Sequence, residues 1–295
     1  MSSKRPVYRK KRFFTILLLI VGLAWFRDFL EFKAGDHVLL DSINRNAFGY
    51  SLKIDHLNAD NRSIRYAEIG NDSLPLLFFI HGAPSSIGFW KDLMRDSSLL
   101  SRAQLAAVDR PGYGSSGLGY PVTSLQAQAS MIRQVLEKYR KLHRKIILVG
   151  SSYGGTLAAR MAMDFPDLVD GVVFISASLA PGRETTYDIT YWTDHPALNW
   201  IIPRSLHSAN REKLSHRLEL QKMETLWPRI QQNIILLQGK RDGLIFPVNA
   251  SYAFQHLVNA ASVEIRWGNG LGHNYIWKGR QQVKKALFDM LDCVQ

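Results

Sequence analysis

From residue 51 onward, short apolar runs alternate with longer segments of helical character. Residues 74–80, 105–108, 145–149, 171–175, 232–239 and 262–267 are strand-like, most of them nearly all apolar and followed by Gly, Pro or Asp. Helix-favouring stretches such as residues 156–162 fall between them. The pattern predicts two leading strands near residues 51–69 and then a mostly parallel sheet with helices on both faces. Ligands of such sheets bind beyond the carboxyl ends of the strands. The alternation stops between Ala177 and Gln232, where strand character is missing and aromatic residues gather: Tyr187, Tyr191, Trp192, Trp200 and Trp227.

Candidate chemistry collects at the predicted strand ends. Gly150-Ser151-Ser152-Tyr153-Gly154 follows the run 145–149 and leads into a helix-favouring segment, the strand, sharp turn and helix of a nucleophile elbow. Its flanking glycines permit a tight bend that exposes the Ser152 hydroxyl; small residues also suit an ordinary turn at such a junction. A serine hydroxyl needs a base within hydrogen-bond reach, and the base needs an acid to orient it. Asp242, in Lys240-Arg241-Asp242-Gly243 after the run 232–239, is the candidate acid. His273, closing Gly268-Asn269-Gly270-Leu271-Gly272-His273 after the run 262–267, is the candidate base. An acyl-transfer oxyanion requires preorganised donors. The backbone N–H groups of Ala83, in His81-Gly82-Ala83-Pro84, and of Tyr153 are assigned that role; Pro84 has no N–H to offer.

Taken with Asp109-Arg110-Pro111-Gly112-Tyr113-Gly114-Ser115-Ser116, these motifs resemble the α/β-hydrolase superfamily, in its own order serine, acid, histidine, across about residues 51–291. The resemblance implies an α/β-hydrolase fold: a mostly parallel central sheet flanked by helices, with a small helical cap inserted at about residues 179–231. It also implies a Ser152-His273-Asp242 triad. A serine at the elbow separates the chain from dehalogenase and epoxide hydrolase relatives, which carry a carboxylate there, and points to acyl-enzyme chemistry on an ester, thioester or related acyl compound. Carbon–carbon bond hydrolases and cofactor-free perhydrolases use the same triad and remain alternatives, as does a non-catalytic ligand-binding protein of this fold. The cap aromatics, Trp192 and Trp200 above all, are expected to line an apolar substrate pocket; packing between cap and core is their simpler role.

Other motifs take plainer readings. Gly112-Tyr113-Gly114-Ser115-Ser116-Gly117 has dinucleotide-fingerprint spacing, but Pro121 follows where a helix should open. His81 is expected to organise its loop, Asp109 and Arg110 to fix the turn after their strand, and His143 to sit at the solvated end of a helix. No His, Cys, Asp and Glu cluster has metal-ligand spacing, so neither metal nor cofactor is expected.

The first 50 residues follow a different plan. Residues 1–12 hold Lys4, Arg5, Arg9, Lys10, Lys11 and Arg12 and no acid, supplying half of the net charge of +12. An apolar segment, residues 13–30, follows. Its main part, Phe13 to Phe26, broken only by Thr15 and Gly22, would span about 21 Å as a helix against a hydrocarbon core of about 30 Å, so Phe29 and Leu30 are needed to lengthen it. An uncleaved transmembrane signal-anchor is expected, with a cleaved secretory signal or a soluble protein with an apolar terminus as the alternatives. Residues 31–50 then read as a linker to the hydrolase domain, residues 51–295. The basic flank places the catalytic domain of a single-pass membrane protein on the non-cytoplasmic side. The remaining positive charge has no nucleic-acid module to accompany it, which leaves a small acyl substrate and the membrane as the expected partners. Cys293 stands alone, so no internal disulfide can form.

Overall fold

The computed structural model describes residues 13–19, 22, 31–143, 145–184, 186, 188–195 and 202–294. Eight strands form one sheet: β1 (Lys53–Ala59), β2 (Arg62–Ile69), β3 (Leu76–Ile80), β4 (Gln104–Val108), β5 (Ile146–Ser151), β6 (Gly171–Ile175), β7 (Asn233–Gly239) and β8 (Ser262–Gly268). Their spatial order is β1-β2-β4-β3-β5-β6-β7-β8. The two leading strands run antiparallel to their neighbours and every other pairing is parallel. Burial follows position in the sheet. Every residue of β3, β4, β5 and β6 is buried, whereas the edge strands β1 and β8 are largely exposed. Strands covered on both faces need no polar alternation, hence the continuous apolar runs in the sequence.

The longer helices among the described residues are α1 (Asp36–Ile43), α2 (Leu125–Arg140), α3 (Tyr153–Asp164), α4 (Asp188–Asp194), α5 (Arg204–Gln221), α6 (Val248–His256) and α7 (Arg280–Cys293). Alternate strand residues face two apolar layers. Phe78 and Leu148 join α2 and α3 on one side, while Phe79 and Val149 join α7 and α1 on the other. α4 and α5 lie between β6 and β7 in the chain, the place of the expected cap, and pack on each other.

Residues 31–50, expected as a linker, contain α1, whose Leu39 and Ile43 are fully buried in the second layer. Asp36 of α1 and Asp109 both pair with the buried guanidinium of Arg65, tying this segment to the sheet. Of the segment expected to cross a membrane, residues 13–19 and 22 are helical and exposed, and the rest lies outside the described residues. Among the described residues no helix is long and apolar enough to span a bilayer. His143 is not at a solvated helix end. Beyond α2 the chain turns inward, so that His143 is buried with Nδ1 2.8 Å from the Leu74 carbonyl oxygen.

Candidate active site

Ser152 lies between β5 and α3 with φ 53° and ψ −123°, a left-handed backbone that a serine adopts only under constraint. The constraint is close packing. A Cβ on Gly150 would stand 2.5 Å from the Gly154 oxygen, and one on Gly154 would collide with the carbonyl oxygens of Ile80 and His81. Only glycines let α3 start this near β3. The Ser152 N–H donates to the Ile175 oxygen at 3.0 Å, fixing the bend to β6.

Two loops at the far ends of β7 and β8 carry the other candidates. They are joined by backbone bonds from Lys240 N to Gly268 O (3.1 Å) and from Arg241 N to Leu271 O (2.9 Å). His273 Nδ1 lies 3.0 Å from Asp242 Oδ2, while Asp242 Oδ1 accepts from the N–H groups of Leu244 (3.0 Å) and Ile245 (2.9 Å). Burial opposes charge on this carboxylate, but His273 and the two amides outweigh it and hold its pKa below the ordinary range. Asp242 is therefore an anion at neutral pH, an acceptor that fixes the His273 ring with its other nitrogen turned away.

Ser152 and His273 line the same cavity, of about 360 Å³, together with Ala83 and Tyr153. The structure thus brings the sequence-predicted nucleophile, base and oxyanion residues around one space, with the acid directly behind the base. A second cavity, of about 310 Å³, opens on the other side of Ser152 and is walled by Phe32, Phe89 and Trp277. Phe32 comes from the segment expected as a linker. Its neighbour Glu31 accepts hydrogen bonds from the N–H groups of Arg204 (2.7 Å) and Ser205 (2.9 Å) at the start of α5.

The cap wall differs from the expectation. Trp192 is 68% exposed and does not line either cavity, and Trp200, like Tyr187, lies outside the described residues. Trp227 is fully buried in the core beneath α3. On α4 the cavity is met by Ile189 and Thr190 instead, and on α5 by Leu206, Ala209, Asn210, Lys213 and His216. Those five α5 positions have helical spacing, a signal present in the sequence that aromatic content obscured.

Also in the cavity lining, His216 Nε2 lies 2.9 Å from Ser178 Oγ. Burial, then the charges of Arg110 and Lys213, push its pKa down to about 3, so it is a neutral ring and not a proton carrier near pH 7. His81 is likewise kept neutral, by burial first and then by Arg110. Its Nδ1 faces the Gly82 oxygen at 2.7 Å and its Nε2 accepts from the Arg110 N–H at 3.1 Å. It organises its loop, as the sequence suggests. Asp109 also fixes its turn, accepting from the N–H groups of Ser115 (2.9 Å) and Ile87 (2.7 Å).

A mostly parallel sheet with helices on both faces, an inserted helical cap and candidate serine, acid and histidine at strand ends define the class of protein. Residues 77–277, more than half of the chain, match the family model described as the alpha/beta hydrolase family, and the chain belongs to that family. Among curated relatives, it is 28% identical over 134 residues to Protein ABHD8 of Bos taurus, covering 42% of this chain and 30% of that protein. It is 34% identical over 103 residues to the pimeloyl-[acyl-carrier protein] methyl ester esterase of Proteus mirabilis, 35% of this chain and 36% of that one. The chain thus matches only about a third of the length of either relative. Among solved structures, a bacterial membrane phospholipase A superposes with a TM-score of 0.64 at 21% identity, over 96% of this chain and 99% of that one. The monoacylglycerol lipase of Paleococcus ferrophilus does so with a TM-score of 0.60 at 19% identity, over 78% and 98%. At these identities the structures share the fold.

Proposed function

We propose that this protein is a serine hydrolase that cleaves an ester, thioester or related acyl bond of a partly apolar substrate through an acyl-enzyme. One observation carries the reading: a serine in a strained strand-end turn shares a cavity with a histidine whose far nitrogen is 3.0 Å from a buried aspartate. In the mechanism, His273 takes the Ser152 proton as Oγ attacks the carbonyl carbon, and the carbonyl π electrons move to oxygen. The Ala83 and Tyr153 N–H groups stabilise that oxyanion, and Asp242 stabilises the imidazolium. Collapse expels the leaving group with the proton from His273. Water, activated by the same histidine, then releases the acyl group. The names of the esterase and lipase relatives and neighbours support this reaction class.

Membrane attachment through residues 13–30, with the catalytic domain on the non-cytoplasmic side, belongs to the same proposal. It is supported by the basic flank and by the exposed apolar helical residues at 13–19. A carboxyl-terminal fusion reporter that is active only in the cytoplasm would overturn this orientation.

Fluorophosphonate labelling of wild type and Ser152→Ala tests the core of the reading. Labelling of wild type alone, with turnover of chromogenic esters, is the expected result. No turnover of any ester, with cleavage of a vinylogous diketone, would transfer the site to carbon–carbon bond hydrolysis.

A further inference from the structure

Arg110 follows β4 and is fully buried, and all five of its guanidinium hydrogens have acceptors. Nε donates to His81 O (2.9 Å). Nη1 donates to Gln128 Oε1 (2.9 Å) and Glu212 Oε1 (2.7 Å), and Nη2 to Gly82 O (3.3 Å) and Glu212 Oε2 (3.0 Å). Glu212 belongs to the cap helix α5. Its carboxylate also accepts from Tyr113 Oη (2.6 Å) and Gln128 Nε2 (2.8 Å). Burial works against the Arg110 charge, but Glu212 outweighs it and raises the pKa, so the guanidinium keeps its charge.

The consequence for the site comes from the peptide unit joining Gly82 to Ala83. It is a planar trans unit, so its C=O and N–H point in opposite directions. The carbonyl is held by Arg110 Nη2 and faces His81 Nδ1, which fixes the Ala83 N–H on the other side. This unit lies against the nucleophile: a Cβ on Gly82 would be 3.1 Å from Ser152 Cβ. The second oxyanion donor belongs to Tyr153, whose ring covers the same guanidinium at 4.5 Å. One arginine therefore holds the peptide unit that carries the Ala83 N–H, through its Gly82 carbonyl, and lies against the ring of Tyr153, and its counter-charge is on the cap.

We propose that Arg110 and Glu212 are positioning residues for the oxyanion hole, so that seating of α5 on the core completes the hole. The inference rests on the serine-hydrolase reading, and the test separates the two. Wild type is first labelled with the fluorophosphonate; failure to label removes that reading and this inference with it. For a labelling enzyme, kcat, KM and the Ki of a trifluoromethyl ketone are measured on Glu212→Gln, Arg110→Lys and Tyr113→Phe. The ketone forms a hemiketal with Ser152, its carbonyl electrons passing to the oxygen that sits in the hole. In Glu212→Gln, kcat is expected to fall about 10- to 100-fold and the ketone Ki to rise by the same factor, with KM within about threefold of wild type. Arg110→Lys keeps the charge but loses the planar fork and should fall on the same line. Tyr113→Phe removes one bond to Glu212 and should shift both quantities in the same direction by less. It decides the matter if the other two variants fail to fold. A wild-type kcat and Ki in folded variants, or a fall in kcat without a rise in Ki, overturns the proposal.

Discussion

The two walls of the candidate active-site cavity are built in different ways. The strand-end wall, with Ser152, Asp242 and His273, is fixed by backbone: glycine packing at the elbow and amide bonds between adjacent loops. The α5 wall is fixed by side chains. Ser208 donates to Gly112 O (2.8 Å), Glu212 holds Arg110, and Glu219 accepts from the Leu125 N–H at the start of α2 (2.8 Å), across 94 to 102 residues of sequence. The comparison teaches that this fold sets its candidate reacting groups by local chain geometry and the facing cap wall by long-range polar pairing. The two should therefore respond differently to substitution.

The largest expected effect is on the strand-end wall. Asp242→Asn should lower kcat by about 10³- to 10⁴-fold, because an amide can present its NH₂ to the ring and stabilises the imidazolium poorly. The same variant tests the charge. The folded-state pKa of Asp242 is depressed, so its ionised form stabilises the fold above the ordinary unfolded value near 4, and that contribution is lost as pH falls through the folded value. Urea unfolding of wild type and variant should show a stability gap at pH 7 that narrows below about pH 4. A gap independent of pH would mean that the carboxylate charge contributes nothing there.

Next in size is the cap wall. Glu212→Ala strands the Arg110 charge in the interior and should cost about 3–5 kcal/mol in urea unfolding. The double variant Arg110→Met with Glu212→Leu should lose much less than the sum of the single changes, because both charges are gone. The exposed pair Arg45–Asp41, at 2.7 Å, is the control and should show about 0–1 kcal/mol when broken. Additive behaviour at Arg110 and Glu212 would remove the cap wall's dependence on this pair. At the elbow, Gly154→Ala places a methyl against the carbonyls of Ile80 and His81 and should cost about 1–3 kcal/mol or more, moving Ser152 with it.

The same division explains what the sequence reveals. The sheet, the elbow turn and the Asp242–His273 pair are legible because each is announced locally, by an apolar run closed with glycine or by Gly-Ser-Ser-Tyr-Gly itself. The seating of α5 is not, because its buried face is Ser205, Ser208, Glu212, His216 and Glu219, with Leu220 its only apolar member. A search for apolar stripes finds nothing on such a helix, since what buries it is hydrogen bonding to partners far away in the chain. Arg110 reads as a turn residue for the same reason: its partner is 102 residues downstream. Glu31 and Phe32 are hidden because a polar-apolar pair before a helix looks like any linker.

Aromatic content misleads at Trp192, which gives the smallest effect and the sharpest contrast. On α4, Thr190 points at the cavity. A residue two places further lies about 200° around the helix, so Trp192 faces outward and is 68% exposed. Trp192→Ala should change stability by no more than about 0.5 kcal/mol and leave kcat/KM for long and short acyl esters within about twofold. Leu206, on the cavity face of α5, carries the contrast: Leu206→Trp should lower kcat/KM for long acyl esters about tenfold while sparing acetyl esters. A matched ester series on the two variants decides where substrate length is read. Chain-length selectivity lost with Trp192 and kept with the enlarged residue 206 would move the acyl wall from α5 to the outer face of α4.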